Sequence, residues 1–242
     1  MLETETADDF VLGQNAVVTS ATFTGLLPLG ASLSSITGVE IELYHVFPVD
    51  STTPPDGRVL TRTNSPSDNQ FEAFDSALGQ LGFSANVLNT RFTALNSVVT
   101  GINPMPNQFT GGEGPVTGEE VEFNITFPTP VFVGATDHDF FRPEVNLSSG
   151  TFLWLSAPRP IVPPGTPFPA GATDLQTWIR TDGAGALAPD WSRIGTDITH
   201  QGPFNASFSL TGDPVPEPGS LLLLGTGLLG AYSARRRRRA AR

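Results

Sequence analysis

Three histidines, His45, His138 and His200, are the side chains in this 242-residue sequence best suited to proton transfer or metal ligation near neutral pH. A zinc hydrolase needs two of them one helical turn apart beside a general-base glutamate, and no such HExxH spacing exists. The three fall on separate expected elements and read as scattered surface or edge residues. Asp137-His138-Asp139 sets two carboxylates around one ring but lacks the spaced oxygen ligands and downstream glutamate of a calcium loop. Only the fold could bring Glu144, or the Glu113, Glu119 and Glu120 cluster, to the same ion, so a solvated acidic loop is expected there. Acyl transfer by a nucleophilic serine would need a GxSxG turn, which is absent. "FTGGEGPVTG" is Gly-rich but has no lysine and no strand-to-helix context for a phosphate. Many carboxylates make some acid pair inevitable in three dimensions, yet none is singled out. No catalytic, cofactor-binding or metal-ligating residue is assigned, and no cofactor is expected.

Aromatic side chains offer another chemistry. A β-sandwich commonly binds glycans by stacking a flat ring on a sugar face. Trp154 lies in "TFLWLSA", apolar on both faces, and is expected in the core. Tyr44 sits within a strand pattern. Trp178 and Trp191 lie near loops and are the candidate glycan-stacking residues. The sequons at Asn124, Asn146 and Asn205 carry little weight.

The elements that must position these residues are strands. "VEIELYHVF" (39–47) alternates Val39, Ile41 and Leu43 against Glu40 and Glu42. "VEFNITF" (121–127) and "FNASFSL" (204–210) repeat the period of two that marks a half-buried strand. Further strands are expected at 16–26, 82–88, 92–100, 139–147, 151–156, 176–180 and 192–198. Only 71–81 has a helical look. The chain holds 25 glycines and 22 prolines, against about 12% for the two in average proteins, and they fall in the turns between strands. The fold class is therefore all-β: an antiparallel β-sandwich of jelly-roll type with polar outer faces, spanning 1–212. The linker is expected at 213–218, a transmembrane segment at 219–234 and a cytoplasmic arginine-rich tail at 235–242.

Charge is sharply partitioned. All 24 acids stand at or before Glu217, while six of the 13 basic residues are arginines after the last apolar stretch. The rest of the chain has seven arginines, no lysine and a net charge of −17. Such a body repels nucleic acid and anionic surfaces, so no nucleic-acid partner is expected. The sequence has no cysteine, which excludes disulfides, thiolate metal sites and a cysteine nucleophile.

The C-terminus, "VPEPGSLLLLGTGLLGAYSARRRRRAAR", has three parts in order. Pro216, Glu217, Pro218 and Gly219 form a polar motif. An uncharged Leu-rich run follows; 221–234 as a helix spans about 21 Å, a short membrane crossing. Arg235, Arg236, Arg237, Arg238 and Arg239 then act as a stop-transfer block that holds the end in the cytoplasm. This tripartite tail resembles the PEP-CTERM sorting signal of Gram-negative bacteria. The resemblance implies processing by an exosortase, an integral-membrane transpeptidase, a transient inner-membrane anchor and delivery to the cell envelope or extracellular matrix. "NSPSDNQFEAFDS", "TGGEGPVTGEEVEFNITF" and "FLWLSAPRPIVPPGTPF" are similar to a recurrent uncharacterised ectodomain that accompanies such signals, which implies a secreted module without supplying functional residues. Sorting of this kind needs export, and "MLETETADDFVLG" has neither a basic n-region nor an apolar stretch, so the N-terminal signal peptide is expected to be missing from this chain. The expected function is a structural or adhesive role linked to exopolysaccharide, not enzymatic; the alternatives are a carbohydrate-binding module and, third, a secreted glycan hydrolase.

Overall fold

A computed structural model describes residues 4–47, 64–99, 110–135, 137–157, 175–181 and 191–215. Eleven strands run through them: β1 Thr4–Val11, β2 Ala16–Pro28, β3 Ile36–Val46, β4 Pro66–Asp75, β5 Gly82–Ala94, β6 Val116–Val133, β7 His138–Leu147, β8 Leu153–Trp154, β9 Thr177–Thr181, β10 Ser192–Arg193 and β11 Phe208–Pro214. They form two antiparallel sheets, one ordered β10-β9-β1-β7-β3-β4 and the other β11-β2-β6-β5, with β8 added against β2. Strand accounts for nearly two thirds of the described residues. The transmembrane segment expected at 219–234 lies outside the described residues, and among those no helix is long and apolar enough to cross a membrane.

The two sheets face each other across one core, and period-2 alternation decides which side chains enter it. From β6 come Val121, Phe123, Ile125 and Phe127, with Glu122, Asn124 and Thr126 turned outward. From β3 come Val39, Ile41 and Leu43, and from β7 Phe141 and Val145. Register makes the centre aromatic: Phe23 and Phe123 are partners on β2 and β6, and their rings stack at 4.8 Å. Phe152 meets both edge-on.

Several elements differ from the sequence expectation. The helical-looking 71–81 is strand β4 followed by a single 3-10 turn, Ser76–Leu78, capped by the Asp75 carboxylate on the Ala77 N–H at 2.7 Å. The strands expected at 82–88 and 92–100 are one strand, β5, whose register shifts at Val87/Asn89 and Asn89/Phe92 broke the apparent alternation. The strand expected at 192–198 is two residues long and then becomes a π-helical turn, Ile194–Ile198. The N-terminal residues Thr4–Val11 form β1, a central strand between β9 and β7. Its period is hidden because Asp8 and Asp9 are buried in it.

Polar outer faces hold for the β11-β2-β6-β5 sheet but not for the other. Behind the six-stranded sheet lies a second apolar cluster of Ala7, Tyr44, Phe140, Trp178 and Trp191. Glu42 and Arg142 are buried on that face.

Candidate functional site

Two places in the fold gather chemistry: the end of β11, where the chain enters the tail, and the covered outer face of the six-stranded sheet.

β11 pairs with β2 from Phe208↔Phe23 to Pro214↔Ala16. The register shifts at Thr211/Gly212, where the strands come so close that a Cβ on Gly212 would meet the Val17 carbonyl oxygen at 2.3 Å. Asp213 and Pro214, expected in the linker, belong to the strand. The Val215 N–H donates to the Asn15 carbonyl at 2.8 Å. The domain therefore holds its chain up to the residue before Pro216. Pro216, Glu217, Pro218, Gly219 and Arg235–Arg239 lie outside the described residues.

On the six-stranded sheet, β1, β3, β7 and β9 lie side by side and present residues of one parity to the same face. Glu42 and Arg142 are register partners, as are Glu5 and Arg180, and Ala7 and Trp178. The Arg142 guanidinium reaches Glu5 at 3.1 Å, Glu42 at 3.1 Å and Glu144 at 2.6 Å. Burial pulls its pKa down, but the three carboxylates outweigh that and the net shift is upward. Glu5 also accepts from Arg180 Nε. The Arg180 guanidinium lies over the Trp191 ring at 4.7 Å and over Tyr44 at 5.9 Å, and Arg193 lies over Trp178 at 6.0 Å. The Tyr44 hydroxyl donates to Glu42 at 2.5 Å. Its pKa is raised, by burial first and by that hydrogen bond second. The result is a layer of ion pairs sealed by indoles, which fastens four strands of different sequence origin to one another.

The two residues expected to stack on glycans, Trp178 and Trp191, lie inside that layer. Trp178 and Trp191 are fully buried, and their indole N–H groups have no partner. Neither ring has a face open to a sugar, because each is occupied as a platform for an arginine inside the domain. Trp154, expected in the core, is half-buried, and its indole donates to the Ser207 carbonyl at 3.0 Å.

The histidines do not converge. His45 Nδ1 meets Asp139 Oδ1 at 2.7 Å and its ring stacks on Phe71 at 4.1 Å. His138 Nε2 meets Asp9 Oδ2 at 3.0 Å. His138 and Asp139 are neighbours in β7, so alternation sends them to opposite faces and divides the acidic tripeptide between two environments. Burial raises the Asp139 pKa, and His45 opposes the shift. Glu113 accepts from the Val99 N–H at 3.0 Å and Glu119 from the Gly30 N–H at 3.2 Å, so both are engaged in loop backbone. Among the described residues no group of three or more such side chains could hold a metal ion.

Asp8 carries a carboxyl group that is fully buried. Its Oδ2 accepts from the Thr177 hydroxyl and, at 2.6 Å, from the Ala206 N–H, while Oδ1 has no partner. Burial, with Asp9 beside it, raises its pKa well above that of a free aspartate.

Neither Arg142 nor Asp8 stood out as a candidate in the sequence. A signal was present for the first: with no lysine and seven arginines before the tail, an arginine in mid-strand with the parity of Glu144 had to find carboxylates.

β11, the last described strand, ends at Pro214, where the sequence enters the tripartite tail. Residues 214–239 match the family model of the PEP-CTERM protein-sorting motif. The chain thus carries a sorting signal of the kind recognised by an exosortase, which implies export, a transient membrane anchor and processing. The match begins at Pro214, the final residue of β11. No curated protein and no solved structure matches the chain.

Proposed function

We propose that this chain is an exosortase-processed structural or adhesive element of the cell envelope or of an exopolysaccharide matrix. The observation that carries the reading is the junction at Pro214: the sorting motif starts where the last strand ends, so losing everything after the motif leaves every described strand of the domain in place. We read 219–234 as the transient membrane helix and 235–242 as its cytoplasmic stop. We read the two sheets as a sandwich of jelly-roll type; the return of β7 between β1 and β3 and of β6 beside β2 supports that reading. The residues that motivated a glycan-binding module are committed to internal packing, and Glu5, Glu42 and Glu144 on the six-stranded sheet are committed to arginine, which supports a passive role for the body better than a catalytic one.

Intact-mass measurement of protein extracted from the surface of a host with the cognate exosortase tests the sorting half. The mature form should lack the Leu-rich span and the six tail arginines, a loss of roughly 2–3 kDa at about 110 Da per residue. Removing six positive charges moves the net charge from −11 to −17, visible on isoelectric focusing. Glu217→Ala should slow the cleavage, and changing Arg235–Arg239 to serine should misplace the motif. A mature form retaining Leu221–Arg242 would make the tail an ordinary anchor. Co-fractionation of the mature protein with exopolysaccharide, lost when the polysaccharide is digested, tests the matrix half.

A further inference from the structure

Among the described strands each sheet has two edges, and three of the four are blunted. β10 is two residues long, β4 opens on Pro66 and carries Glu72 and Asp75, and β11 has a bulge and ends on Asp213-Pro214. Short length, proline, charge and bulges are the devices by which sheets avoid pairing with another chain. β5 has thirteen residues, no proline and no acid, and among the described residues it pairs with β6 alone. Its first six residues, Gly82–Val87, run unbroken against Thr126–Val121 before the register shifts.

The face of that segment is also unfinished. Phe83, Ala85 and Val87 stand opposite Ile125, Phe123 and Val121, which are core residues. They therefore point to the core side, yet Phe83 is 37% exposed and Val87 39%. Among the described residues the apolar layer runs to an edge that no further strand covers, and two large side chains there are partly exposed.

We propose that the occupant of this edge is a second copy of the chain, joined β5 to β5 about a two-fold axis at Ala85. Charge favours it. Before the tail the chain carries 24 acids against seven arginines, so two bodies repel almost everywhere. The β5 segment contains only Arg91, and copies meeting there bring no carboxylate to the strand interface. Geometry favours it too. A two-fold axis perpendicular to a sheet keeps each side chain on its own face, so paired residues must share parity. Centring on Ala85 sets Phe83 of one copy opposite Val87 of the other, twice, and continues the apolar row across the junction. The sheet then extends through both copies and ends at the two β11 strands, which are blunted, so the assembly closes as a dimer instead of growing into a fibre.

The absence of cysteine supplies the test. Ala85→Cys in the full-length chain introduces its only thiol, which stands opposite its own copy at about 4.5–5.5 Å between Cβ atoms, close to disulfide range. Under mild oxidation it should give a disulfide dimer on a non-reducing gel about tenfold more than Thr211→Cys, at the opposite edge of the same sheet. Adding Val87→Asp, at a position exposed enough to accept it, should abolish the cross-link while the far-UV spectrum is unchanged. Equal cross-linking of the two cysteine variants would mean that association runs through the tail and would overturn the proposal. So would a cross-link that survives Val87→Asp. An Ala85→Cys variant that neither cross-links nor reacts with a maleimide would show the edge covered by another segment or partner, and would overturn it as well.

Discussion

The Ala206 N–H donates to Asp8 Oδ2 at 2.6 Å, a bond between residues 198 positions apart. It ties the strand that opens the fold to the segment that leads into β11. The acceptor is a carboxyl group buried between the sheets with its second oxygen unpartnered, so the bond comes with the cost of holding a charge away from water.

Because burial raises the Asp8 pKa, the folded chain holds this proton more tightly than the unfolded chain does. Asp8 thus lowers stability as pH rises from the ordinary carboxylate range through its raised folded value, and the loss is recovered on acidification. Asp8→Asn keeps an acceptor for the Ala206 N–H and removes the charge. It should unfold at higher urea than the parent at pH 7, with the difference shrinking towards pH 4. Asp8→Ala leaves the amide unpaired and should cost about 1–3 kcal/mol. A destabilised Asn variant at pH 7 would mean that the charge itself is needed.

Arg142 is the only cation contacting Glu42 and Glu144 among the described ion pairs. Arg142→Met leaves buried carboxylates facing one another and should cost about 3–5 kcal/mol at pH 7. Lysine should rescue poorly, because one ammonium cannot span three acceptors in the plane of a guanidinium. The diagnostic is pH: the Met variant should regain more stability than the parent between pH 7 and pH 4, as its carboxylates protonate. Parallel profiles would show that the ion pairs contribute nothing.

Trp191 is buried under Arg180 and edge-on to Tyr44 at 6.1 Å. Trp191→Ala should lower stability by about 3–5 kcal/mol, the usual cost of emptying an aromatic site. Tryptophan emission in the parent should be blue-shifted, poorly quenched by acrylamide and unmoved by added oligosaccharide. Emission that shifts with sugar would return the indoles to a binding role.

The last strand sets where the chain can be cut without harm. A chain ending at Val215 keeps the pairing of Asp213, Pro214 and Val215 with β2 and its preceding turn. One ending at Gly212 loses it and should be less stable by about 1 kcal/mol, read from urea midpoints. In a host without exosortase, the full-length chain supplied with a signal peptide should fractionate with membranes, while the chain ending at Val215 should not. Identical partitioning would sink the anchor.

The alternation of Val121, Phe123, Ile125 and Phe127 was enough to identify a strand and its inward face, because a side-chain period of two is a local property of extended backbone. The three-part tail was equally legible, since charge, apolar length and proline are written in residue order. What the sequence left open is whatever depends on two sheets meeting. It could not show that Glu42 and Arg142 share a register, since that pairing is decided by the position of β7 between β1 and β3. Trp178 and Trp191 lie near loops in the sequence; the second layer on the six-stranded sheet buries them, and only a folded neighbour can do that. β1 carried no readable period, because two consecutive aspartates are polar in sequence and become interior only when Thr177, Ala206 and His138 come to meet them. Sequence alone determined the strand class and the sorting signal of this protein. Tertiary structure decided which charges are buried and which edge stays open, because both follow from contacts between residues far apart in the chain.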